Sequence, residues 1–162
     1  MTAQSKNAYT IALPSDKELV MTRVFNAPRE LVFRAHTDPA LVAQWMGWRN
    51  YTTIVAQFDA RPGGKWRYVQ RGPDGKEEGF HGEFREIVAP ESFSWTWEYE
   101  GMPGHVLIEK YAFEEREGKT TLTATSTYDS KEDRDALIAT GMEDGANETG
   151  DRLEELLARL QA

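Results

Sequence analysis

No cysteine occurs in the 162 residues of this chain. That excludes a disulfide, a thiol nucleophile and any cysteine-based metal site, and it fits a reducing compartment. Basic charge is scarce too: 19 Lys and Arg stand against 27 Asp and Glu, a net charge of −8, with no basic cluster to offset it. A chain of that sign is not expected to bind nucleic acid or an anionic membrane surface. Long hydrophobic runs are also missing. No window approaches a membrane span, and Met1 to Asn7 is polar, without the apolar stretch of a signal peptide, so the expected location is cytoplasmic. The three histidines, His36, His81 and His105, are too widely spaced for a zinc pair, and neither a metal nor a cofactor is expected. No G-x-S-x-G occurs, which removes the nucleophile elbow.

Aromatic residues are plentiful: five Trp, seven Phe and six Tyr make up 11% of the chain. Between Tyr51 and Tyr128 they fall in β-prone runs separated by turns such as Arg61-Pro62-Gly63-Gly64 and Gly72-Pro73-Asp74-Gly75. Phe93, Trp95, Trp97 and Tyr99 alternate with Ser94, Thr96, Glu98 and Glu100, the cleanest period-two pattern present. Gly79 and Gly82 interrupt the long run Glu77–Val88 and predict a bend or bulge there. Connections this short require antiparallel neighbours. Before this region, Tyr9–Leu13 and Glu18–Asn26 read as a hairpin, with Leu19, Met21, Arg23 and Phe25 on one face. Two short helices follow, begun by Ala27-Pro28 and by Asp38-Pro39.

The last stretch, Ser130 to Leu160, carries a helical stripe of Leu137, Ile138, Met142, Ala146, Leu153, Leu156, Leu157 and Leu160. Its centre is thin, because Gly141, Gly145 and Thr149 stack on one face. Each interior glycine costs about 1 kcal/mol relative to Ala. The glycines therefore allow close approach to the sheet, or leave room for a ligand, or Gly141 divides the stretch in two. The predicted fold is α+β: a curved antiparallel sheet wrapped around a long C-terminal helix, in one domain spanning the chain, with residues 1–8 disordered.

Several words in this order resemble a known family. They are Arg23-Val24-Phe25-Asn26-Ala27-Pro28-Arg29-Glu30-Leu31-Val32-Phe33, Thr37-Asp38-Pro39, Gln44-Trp45, Asp59-Ala60-Arg61-Pro62-Gly63-Gly64-Lys65-Trp66, Gly72-Pro73-Asp74-Gly75, Gly82-Glu83-Phe84-Arg85-Glu86-Ile87 and Thr140-Gly141-Met142-Glu143-Asp144-Gly145. The chain resembles the SRPBCC, or START-like, superfamily, in the branch that shares the C-terminal domain of activators of Hsp90 ATPase. The resemblance implies the helix-grip (START-like, Bet v 1-like) fold. It leaves function open, since the superfamily includes lipid carriers, receptors and cyclases. It also implies a possible chaperone partner, although only about 17 residues precede the first matching strand, where the eukaryotic co-chaperone has a further domain.

Three functions follow as expectations. The first is non-enzymatic binding of a small hydrophobic ligand between the aromatic sheet face and the last helix. Its site would be Trp45, Trp66, Tyr68, Phe84, Trp95 and Trp97, with Met142, Gly145 and Thr149 from the helix; the alternative for the same aromatics is a closed core. The second is a cyclase or hydrolase, for which His81, Glu98 and Arg61 are the nameable acid–base groups, with Glu98 expected to face solvent. No catalytic residue is assigned. The third is a module that binds a chaperone. Asp59-Ala60-Arg61-Pro62-Gly63-Gly64 reads as a structural turn held by Asp59, not as a phosphate loop.

Overall fold

The computed structural model describes residues 7–162. Its elements run β1 (Thr10–Ala12), β2 (Glu18–Phe25), α1 (Arg29–Thr37), α2 (Pro39–Trp45), β3 (Thr52–Phe58), β4 (Lys65–Arg71), β5 (Glu77–Val88), β6 (Ser92–Tyr99), β7 (Leu107–Arg116), β8 (Lys119–Thr127), α3 (Lys131–Ala139) and α4 (Met142–Gln161). The eight strands form one antiparallel sheet in the order β1-β2-β8-β7-β6-β5-β4-β3. The chain leaves β2 through α1 and α2, starts again at the far edge with β3, and meanders back until β8 pairs with β2. This is the expected helix-grip arrangement. Of the stretch expected to be disordered, residues 1–6 lie outside the described residues, while Asn7 donates to the Glu154 carboxylate at 3.0 Å.

Local chemistry accounts for the element ends. Asp38 caps α2 by accepting from the Ala40 amide at 3.0 Å, with Pro39 in the first turn. Ser130 caps α3 through the Asp133 amide at 3.1 Å. Between α3 and α4, Gly141 takes φ +84°, a left-handed conformation that costs glycine little. So the C-terminal stretch is two helices, the third of the three arrangements its glycines allowed.

The expected irregularity in β5 is only partly where the glycines suggest. Pairing of β5 with β6 runs Phe80↔Tyr99 and His81↔Glu98, resumes at Phe84↔Trp95, and slips by one residue between Phe84 and Glu86. Pairing of β4 with β5 runs without a slip through Gly79 and Gly82. Gly82 serves close approach: a Cβ there would stand 1.8 Å from the Thr96 carbonyl oxygen and 2.8 Å from the Trp66 indole nitrogen.

Helix α4 lies in the grip of the sheet. Leu153, Leu156 and Leu157 are fully buried against Phe25, Phe33, Trp66, Phe84, Phe93 and Phe113. Each such side chain contributes roughly 1.5–3 kcal/mol relative to exposure. The inward face of β2 also carries a charge. Arg23 is 2% exposed and reaches Asp151 at 2.9 Å and Glu154 at 3.2 Å, both on α4. Gly150 makes room for it, since a Cβ there would stand 2.5 Å from an Arg23 guanidinium nitrogen. Tyr9 and Phe25 place their rings 5.5 and 5.2 Å from the guanidinium carbon.

This ion pair is asymmetric, because the arginine has no water while both acids keep about a third of their side-chain exposure. Removing the acids strands a buried charge; removing the arginine lets the acids rehydrate. Asp151→Ala/Glu154→Ala should therefore lower the urea-unfolding free energy by about 3 kcal/mol or more, and Arg23→Met by less than half as much. Equal losses would show that the pair is not desolvated as the burial implies.

The candidate ligand cavity

The interior of the grip has two parts. Across the strands, the residues nearer one end are sealed and those nearer the other face open space. On β4, Trp66 is sealed while Tyr68 and Gln70 line a cavity; on β5, Phe84 is sealed and Phe80 lines it. The division repeats on β6 (Phe93 against Trp97), β7 (Phe113 against Tyr111 and Glu109), β8 (Leu122 against Ala124) and β2 (Phe25 against Met21). Helix α4 follows the same rule: Leu153, Leu156 and Leu157 seal, whereas Met142, Gly145, Ala146 and Thr149 face the cavity. The space measures about 330 Å³. It shares Trp48, Phe80, Trp97, Leu107 and Leu137 as wall residues with an outer chamber of about 450 Å³, which is also lined by Ala136 of α3 and by Tyr99, Met102 and Val106.

Of the nine residues the sequence nominates, Trp45, Tyr68, Trp95, Trp97, Met142, Gly145 and Thr149 line the cavity. Trp66 and Phe84, each 1% exposed, belong instead to the sealed end. Trp66 is held there by stacking between Tyr68 and Trp95, with ring centroids 5.3 and 4.3 Å away. The aromatic set is divided: part of it packs in a closed core and part of it lines open space, in different halves of the interior.

Gly145 has a more particular role than leaving space. A Cβ there would lie 3.2 Å from the Trp48 ring, so the glycine seats Trp48, which lines both chambers. The segment carrying Trp48 is fastened to α4. Arg152 donates to the carbonyls of Gln44, Met46, Gly47 and Trp48 at 2.8–3.2 Å, and Thr149 donates to that of Gly47 at 3.3 Å. Nothing in the sequence marks Trp48 as different from any other tryptophan after a helix-ending glycine.

The polar groups of the cavity were largely missed. Glu109 reaches it from β7. One carboxylate oxygen accepts from the Trp95 indole at 2.9 Å and the Tyr111 hydroxyl at 3.1 Å; the other accepts from Ser126 at 3.3 Å. The carboxyl group is deeply embedded, while the residue as a whole is half-buried. Burial pushes its carboxyl up, against the three hydrogen bonds that favour the charged form. The signal was available: Leu107, Glu109, Tyr111 and Phe113 share one parity, and three of the four are apolar. His36, on α1, is buried among Trp45, Phe93, Tyr111 and Phe113. Its Nδ1 lies 2.8 Å from the Val32 carbonyl, which can only accept, so in the neutral ring Nε2 is the acceptor. Burial holds its pKa at about 4. Gln70 donates to Thr53 at 3.0 Å, but its carbonyl oxygen is buried without a partner.

The acid–base candidates from the sequence lie elsewhere. His81 and Glu98 pair with each other on the outer face of the sheet at 3.3 Å, and His81 also meets Glu100 at 2.9 Å. Arg67 bonds Glu100 twice and holds its carboxyl down at about 2. Arg61 pairs with Asp59 at 2.8 Å in the exposed turn before β4. None of the three lines the cavity. Among the described residues no group of His, Asp and Glu could hold a metal ion, and no helix is long and apolar enough to cross a membrane.

Residues 26–158 match the family described as activator of Hsp90 ATPase homolog 1-like protein. Solved structures share the fold closely. A Rhodobacter sphaeroides protein is 28% identical with a TM-score of 0.87, covering 93% of this chain and 99% of its own. A Mycobacterium smegmatis protein is 27% identical with a TM-score of 0.83 (92% and 96% covered). A Staphylococcus epidermidis protein is 30% identical with a TM-score of 0.80 (93% and 94%). No curated protein matches the chain.

The buried histidine makes a test by pH. Its folded pKa of about 4 lies below the ordinary 6.5, so its contribution to stability is complete above pH 6.5 and is lost as pH falls towards 4. Over that window the loss amounts to about 3 kcal/mol. Glu109, with its pKa raised, acts in the opposite sense. Urea midpoints at pH 7 and pH 4 should converge in His36→Leu relative to wild type; an unchanged acid limb would show that His36 takes up its proton in the folded state.

Proposed function

Since the chain belongs to the activator of Hsp90 ATPase homolog 1-like family, we propose that it binds a small hydrophobic molecule in the chamber between the sheet and α4, without transforming it. Folds of this family commonly bind hydrophobic ligands. The observation that carries the reading is the division of the interior. The same aromatic sheet face is packed to solidity at one end and left open for about 330 Å³ at the other. Protein interiors are normally filled to crystal density, whereas this half-open pocket leaves part of the aromatic face uncovered. The walls suit an apolar occupant: Trp45, Phe80, Trp97, Leu137 and Met142 present ring faces and aliphatic carbon. The outer chamber lies beside this one, with Trp48 and Leu137 in the shared wall.

Alanine 146 lies on the cavity side of α4, so a larger side chain there fills the space without touching the sealed leucines. The neutral fluorophore N-phenyl-1-naphthylamine should bind wild type with a micromolar dissociation constant and quench tryptophan emission. Ala146→Leu should weaken that binding by about tenfold, the scale of one filled subsite, with the far-ultraviolet circular dichroism unchanged. Equal binding by both proteins would place the probe outside the chamber.

A further inference from the structure

Resting on that reading, we propose the ligand's chemical class: a hydrophobic amine, whose apolar body lies against Trp97, Phe80 and Met142 and whose ammonium group meets the Glu109 carboxylate.

Three observations point the same way. First, the charge lining the space is of one sign. Across both chambers the acids are Glu78, Glu109 and Asp133, and among the described lining residues there is no Lys or Arg. The two histidines offer little positive charge: His36 is held neutral by burial, and His105 is already paired with Asp133 at 3.0 Å. A fatty acid or other carboxylate would meet Glu109 in desolvated space with no cation to receive it, a repulsion that water cannot screen.

Second, several groups in the lining have unused acceptor capacity. The Gln70 carbonyl oxygen is 5% exposed as a residue and unpartnered, and Nε2 of neutral His36 is a lone-pair nitrogen. One Glu109 oxygen has only the long 3.3 Å contact from Ser126, while the other is saturated by Trp95 and Tyr111. A ligand group rich in N–H donors satisfies such a set; a carbonyl or ether does not.

Third, the walls are aromatic faces. Trp45, Trp95, Trp97, Tyr68, Tyr111 and Phe80 line the same chamber as the carboxyl, and Trp95 and Tyr111 touch it directly. Their quadrupoles attract a cation, and the attraction strengthens where water is excluded. An ammonium also reverses what burial does to Glu109, because a nearby positive charge favours the ionised carboxyl.

The test compares three probes of one shape on the unmodified protein by calorimetry at pH 7: 2-(1-naphthyl)ethylamine, 2-(1-naphthyl)ethanol and 1-naphthylacetate. The amine should bind about tenfold or more tightly than the alcohol, as a charge-assisted contact requires, and the carboxylate weakest of all. Glu109→Gln should bring amine and alcohol together while leaving the alcohol within about threefold of wild type. The proposal is overturned if the alcohol equals or exceeds the amine, since Glu109 then acts as a neutral acid, or if the carboxylate binds best. It is also overturned if E109Q keeps the amine preference. Binding by the alcohol with no amine advantage leaves the hydrophobic-ligand reading standing. Failure of all three probes removes both. If E109Q does not fold, the order of the three probes on wild type decides alone.

Discussion

The buried guanidinium of Arg23 sits where the two halves of the interior meet, and much of the architecture follows from it. On its own strand it lies between Met21, which lines the cavity, and Phe25, which is sealed. On α4 its partners are Asp151 and Glu154, beside Gly150, with the sealing leucines towards the C-terminus and the cavity-facing residues towards the N-terminus. A charge this deep tolerates one position of the helix, because any displacement leaves it without a counter-ion. The pair anchors α4 to β2 at the boundary: to one side leucine meets phenylalanine, and to the other α4 residues line the chamber.

The second constraint is the balance at Glu109. Desolvation favours its neutral form, and three donors favour its charged form. Desolvation is the larger influence, and it holds the carboxyl above the ordinary carboxylate range. The surrounding electrostatics lean one way, with acids at the mouth and no Lys or Arg among the described lining residues. On the proposed reading, that bias is what selects among hydrophobic ligands. The outer face of the sheet follows a different rule. There His81, Glu98, Glu100 and Arg67 are mutually paired and solvated, an arrangement that stabilises surface strands without creating a reactive group.

Much of the fold was legible because its signals are local and periodic. Alternation placed Trp95 and Trp97 on one face and Glu98 on the other; Asp38, Pro39 and Ser130 marked helix starts, and Gly141 the break between α3 and α4. The site was legible in outline, since most of its aromatic wall is what the alternating strands present. What escaped was any feature that depends on distance between elements. Trp66 and Tyr68 share a face and differ only in which half of the grip they fall, which no period can show. Arg23 and Glu109 were visible as charges on apolar parities, Arg23 with Leu19, Met21 and Phe25, and Glu109 with Leu107, Tyr111 and Phe113. A charge that keeps an apolar parity is either a register error or an inward-facing group, and here both face inward: Arg23 is buried and Glu109 lines the cavity. Trp48 carried no signal, because its place depends on Arg152 and Gly145, a hundred residues away.

The most direct measurement is a crystal structure with N-phenyl-1-naphthylamine bound. The divided interior requires density for the rings between Trp97, Phe80 and Met142, with Trp66, Phe84, Leu153 and Leu157 in the same positions with and without the probe. Density confined to the outer surface, or a chamber closed by Trp48 and Leu137 with the probe absent, would contradict it.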